Sequence, residues 1–142
     1  KPRDIRSEIH QFVSAHQYDK AFTVALSGGK VELVTNLCAQ LDPRIVLASK
    51  PKLPGPIVLS LIQQLGFELA KDSQLKLSWL QEALVALDTH DPLISKHVPA
   101  VLSELLKNLE HQADTHRDVS PTDTSATILR FVTQLVKSLI RS

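Results

Sequence analysis

The sequence predicts an all-α fold, a superhelical, α-solenoid-like stack of seven to nine antiparallel helices. Three observations carry this. Apolar residues recur at helical spacing from one end of the chain to the other. The segments between these stripes are marked by proline, glycine or Asp-Pro. No paired run of alternating residues reads as a strand hairpin. Asp42-Pro43 and Asp91-Pro92 are the sharpest local signals. Aspartate caps a first turn by accepting its orphan N–H groups, and proline fits the first helical position because no N–H is needed there.

Ile5, Ile9, Phe12 and Val13 line one face of a first helix over about 3–15. Ala21, Phe22, Ala25 and Leu26 give a second over 18–26, ended by Gly28-Gly29, where glycine tolerates a left-handed turn. A third covers 31–40, and Asp42-Pro43 opens a short fourth that ends near Ala48. Pro51, Pro54 and Pro56 then break the chain. Val58, Leu61, Ile62, Leu65 and Leu69 predict a fifth helix over 57–70, with Gly66 inside it as a mark of close helix contact. Ser73 is read as the cap of a sixth over 74–87, with Leu77, Leu80, Leu84 and Leu87 inward. Pro92 is expected to open the longest helix, to about Gln112, with a kink or split near Lys96–Val98 because Pro99 lies inside it. Residues 113–125 read as an exposed, mobile loop. The last helix, over 125–140, is expected to bury Ile128, Phe131, Val132, Leu135, Val136 and Leu139.

Composition bounds the function. The 142 residues suffice for a single domain, 1–142, with a real core, and 43% of them are apolar. Only 4% are aromatic, so that core is aliphatic. The net charge of +1 gives no sign of the concentrated basic stripe of a nucleic-acid binder. A chain that starts on Lys1 and has no methionine reads as a fragment of a larger protein. No apolar run approaches the twenty or so residues of a membrane span.

Residues that carry chemistry do not converge. Cys38, the sole cysteine, falls in the apolar register of Leu33, Val34, Leu37 and Leu41 and reads as a small buried hydrophobe. His10/His16, His90/His97 and His111/His116 lack the spacing of a helical metal site, so solvated histidines are expected and no metal or cofactor. No serine sits in a nucleophile elbow, and Gly28-Gly29-Lys30 lacks the spacing of a phosphate loop. The chain reads as a non-enzyme. Trp79 lies about 100° from core Leu80. It is read either as a flank tucked between helices or as a partly exposed anchor for a partner. Gln63, Gln64, Lys76 and Glu82 surround it on the polar sides of the same two helices, and together the five form the candidate partner-binding patch. The rival is that these residues are ordinary solvated face and the patch lies on the first helices, around Arg6, His10 and Tyr18.

Several runs carry a resemblance. They are Tyr18-Asp19-Lys20-Ala21-Phe22 with Ala25-Leu26-Ser27, Leu33-Val34 with Leu37-Cys38, and Asp42-Pro43. They continue with Val58-Leu59-Ser60-Leu61-Ile62-Gln63-Gln64-Leu65 and Leu75-Lys76-Leu77-Ser78-Trp79-Leu80-Gln81-Glu82-Ala83, then Leu87-Asp88 and Asp91-Pro92. As an ordered set over about 18–110, this resembles the C-terminal domain of the WD-repeat scaffolds of the mRNA decapping complex, the enhancers of mRNA decapping. The resemblance implies an all-α, non-catalytic interaction module, the C-terminal piece of a larger scaffold. It implies protein partners from the decapping and decay machinery, and a place in cytoplasmic processing bodies. An RNA-binding helical domain is the alternative. RNA held through its phosphates would dissociate steeply with added salt, which separates the two readings.

Overall fold

The computed structural model describes residues 5–28, 31–48, 53–67, 69–115 and 124–141. Among these are eight helices: α1 (Ile5–Ser14), α2 (Tyr18–Ser27), α3 (Val31–Gln40), α4 (Pro43–Ala48), α5 (Gly55–Leu65), α6 (Ser73–Ala86), α7 (Val98–Thr115) and α8 (Thr124–Arg141). The described residues contain no strand. None of these helices is long and apolar enough to cross a membrane.

Both Asp-Pro signals work as caps, but they open different things. Asp42 Oδ1 accepts the Arg44 N–H at 2.9 Å, and its carbonyl takes the N–H groups of Ile45 and Val46, so α4 starts at Pro43. Asp91 Oδ1 accepts the Leu93 N–H at 2.9 Å, and its carbonyl takes those of Ile94 and Ser95. Here, however, the capped segment is a run of turns over 92–97, and the long helix starts only at Val98. Pro99 is the reason. It has no N–H to continue a helix from 92, but it sits harmlessly in the first turn of a helix that begins one residue earlier. The helix expected from Pro92 is therefore absent over 92–97, and the long helix begins at Val98, within the expected region of the break. α7 runs on to Thr115, so 113–115 are helical and not loop; residues 116–123 of the expected loop lie outside the described residues.

Other boundaries follow from backbone geometry. α1 is closed just past its end by His16 in the left-handed region, φ 58°, with Gln17 N–H donating to the Phe12 carbonyl and His16 N–H to that of Val13. This is the Schellman pattern on a non-glycine residue. Gly28 closes α2 in a right-handed conformation, not the left-handed one expected, and Gly29 lies outside the described residues. Ser73 is the first residue of α6 and not its cap: its hydroxyl donates back to the Leu69 carbonyl, and left-handed Asp72 holds the capping position.

α5 stops at Leu65, earlier than its apolar stripe suggests, and Gly66 follows it as a cap. Close approach by α7 explains the glycine. A Cβ on Gly66 would lie 2.6 Å from Leu105 Cδ1 and 3.2 Å from the Ile62 carbonyl oxygen. The Gly66 carbonyl in turn accepts a bond from Asn108 Nδ2 at 2.9 Å. Phe67, just beyond, is left 67% exposed.

The helices pack on sequence neighbours and on elements further along the chain. α2 packs on α1 and α3, α5 rests on α2 and α3, and α7 and α8 close the far end. The centre is α6, which packs against α3, α4, α5 and α8. Leu61 and Leu65 of α5 and Leu77, Leu80 and Leu84 of α6 are all buried, as their spacing predicts. On α8 the inner line is Leu129, Val132 and Val136. Phe131 stands about 200° around the helix from Leu129, and is 51% exposed instead of buried.

Two stability outcomes are expected. Leu80→Ala should cost about 2–5 kcal/mol, read as a lower denaturant midpoint. Gly66→Ala should cost about 1–3 kcal/mol by overpacking against Leu105, and that cost should shrink sharply in a Leu105→Ala background, because the two changes share one contact.

Candidate interaction surfaces

Trp79 is the interior residue of the candidate patch. It is 0% exposed, its ring centroid lies 5.6 Å from that of Phe22, and its indole N–H donates to the Cys38 carbonyl at 3.2 Å. It joins α6 to α2 and α3, which is the tucked-flank alternative, and it presents no face to a partner in this fold. Lys76 is also interior, at 1% exposure, and is engaged in an interaction of its own. The physical reason is the position of α6: a helix covered on several sides buries residues off its leucine stripe as well as on it.

The other three residues part company. Gln64 is half-buried, and its side-chain amide reaches the Leu26 carbonyl at 3.5 Å, a tie from α5 to α2. Gln63 faces solvent. Glu82 is partly exposed and lies 3.9 Å from the Arg44 guanidinium, whose side chain is 83% exposed. An ion pair so open to water is worth less than about 1 kcal/mol. The five residues therefore do not form one polar rim around an aromatic anchor.

An apolar groove that spacing alone does not reveal lies beside Glu82. Leu53 and Val58 line it from one side, Leu47 and Ala48 of α4 from another, and Val85 and Ala86 of α6 close it. Val85 is 66% exposed. Its signal in the sequence is an aliphatic residue outside the inward leucine line of α6.

The residues weighed for chemistry stay apart. Cys38 is fully buried, and loss of solvation pushes its thiol far above the usual thiol range, so it stays neutral and unreactive. His10, His16, His90, His97 and His111 are exposed, and His116 lies outside the described residues. No group of three or more His, Cys, Asp or Glu among the described residues could hold a metal.

Fold and surface together define an all-α, solenoid-like domain with open grooves between its helices. The family model for the C-terminal region of enhancer of mRNA-decapping protein 4 matches residues 9–131, and the chain belongs to that family. It is 36% identical to enhancer of mRNA-decapping protein 4 from Mus musculus over 118 residues, 81% of this chain. It is 34% identical to that of Homo sapiens over 117 residues, 80% of this chain. The Drosophila melanogaster homolog is 36% identical over 110 residues, 77% of this chain. In each case the matched stretch is 8% of the relative's own length. The crystal structure of the conserved C-terminal region of Ge-1 superposes with a TM-score of 0.81 at 27% identity, covering 96% of this chain and 99% of that one.

Because Trp79 is the sole tryptophan, its emission reports on the core directly. The native chain should emit at the blue end of the tryptophan range and resist iodide quenching, and both properties should be lost on unfolding. Trp79→Ala should cost about 3–5 kcal/mol by circular dichroism melts.

Proposed function

We propose that residues 1–142 form one non-catalytic interaction domain, the C-terminal module of an mRNA decapping scaffold. In this reading it holds protein factors of decapping and decay together and helps place the scaffold in cytoplasmic processing bodies. The observation that supports it is the match to the C-terminal region of the decapping enhancers over residues 9–131, on a fold whose outward features are grooves between helices. Successive helices in such stacks commonly offer extended surfaces to protein partners.

Within this reading, Gln63 and Glu82 are the members of the candidate patch placed to touch a partner. Glu82 stands at the edge of the apolar groove closed by Val85. An apolar floor beside a polar edge is the usual make-up of an interface. Trp79, Lys76 and Gln64 support that surface from within.

Deletion of the domain from the full-length scaffold provides the test. The truncated scaffold should lose most of its processing-body enrichment and co-purify less decapping machinery. The substitution Val85→Glu, on an exposed position, should weaken the same association with little change in melting temperature. Unchanged localisation and co-purification on deletion would refute the reading.

A further inference from the structure

A second groove runs between α1 and α3, which both pack on α2. Its floor is aliphatic: Ile9 from α1, and Leu33 and Leu37 from α3. Its walls are polar and regular. Arg6 and His10 stand one helical turn apart on α1, and Asn36 and Gln40 stand one turn apart on α3. All four are exposed. Among the described residues that line it there is no carboxylate. The grooves around α4 and α6 differ, since Glu82, Asp42 or Asp72 lines each of them.

We infer that this α1–α3 groove docks a short acidic segment of a protein partner, with one aliphatic side chain seated on Ile9, Leu33 and Leu37. The inference rests on the interaction-module reading above and supplies the chemistry of one partner. Charge complementarity decides the occupant. The net charge of the whole chain is only +1, so the positive character of this groove is local and set by Arg6. A guanidinium recognises a carboxylate with two parallel hydrogen bonds. The amides of Asn36 and Gln40 each supply donors and an acceptor, which suit the exposed backbone of an extended peptide. Glu8 and Glu32, on the same two helices, are not among the lining residues.

Fluorescence anisotropy on the 142-residue chain tests this. The probes are three short labelled peptides, each with one central leucine, flanked by Asp and Glu, by Lys and Arg, or by Ser and Asn. The acidic peptide should bind about tenfold or more tighter than the basic one, and added salt should narrow the gap. Arg6→Glu should weaken the acidic peptide about tenfold and improve the basic one. Gln40→Glu, on the opposite wall, should act in the same direction and serves if Arg6→Glu disturbs folding. Replacing the central leucine by serine should also weaken binding. Equal binding of acidic and basic peptides, or affinity unmoved by both variants, would overturn the inference. So would amide shifts on titration that map away from Ile9, Leu33 and Leu37.

The two readings fail separately. If deleting the domain releases decapping factors but the acidic peptide does not bind, only the groove assignment falls. If deletion changes nothing in the cell, the module reading falls whatever the peptide does.

Discussion

The fold depends on the burial of α6. This helix packs on α3, α4, α5 and α8 at once, and Trp79 extends its reach through a ring contact with Phe22 and a hydrogen bond to the Cys38 carbonyl. A lone tryptophan in a mainly aliphatic core acts as the wedge that sets the separation of α2, α3 and α6. The indole N–H must find an acceptor once it leaves water. The Cys38 carbonyl, near the end of α3, takes it while also serving the Leu41 N–H.

A second constraint is how closely helices approach. At Gly66 the absence of a side chain lets Leu105 of α7 sit against the end of α5, and the Asn108 amide fastens the same point. The chain then passes through Phe67, Leu69 and Asp72 into α6. Asp72 makes this sharp entry at a cost in backbone strain, since a left-handed conformation is uncommon for a residue with a Cβ. Thus one small residue and one strained corner bring α5, α6 and α7 together.

These constraints also shape the surface. Because α6 is enclosed, residues that would otherwise flank its core become part of it, and the outward features are left to the seams between helices. One seam, between α4 and α6, is apolar with a compensated ion pair at its edge. Another, between α1 and α3, pairs an aliphatic floor with polar walls that include Arg6. These seams are the surfaces that the proposed interaction role would use.

Local chemistry in the sequence determined the helices and most of their ends. Apolar spacing located most of the helices, the Asp-Pro signals pointed to α4 and the region of α7, and Asp42 capped α4 as its type and position require. The inward leucines of α5 and α6 were legible because a 3.6-residue period points them to one side. Only tertiary structure decided how many sides of each helix are covered. That is why Trp79 and Lys76 are interior, why Phe131 faces out, and why the grooves lie where they do. Periodicity records the direction of a side chain around its own helix. It carries no record of which neighbours close over that direction, because those contacts join residues far apart in the chain.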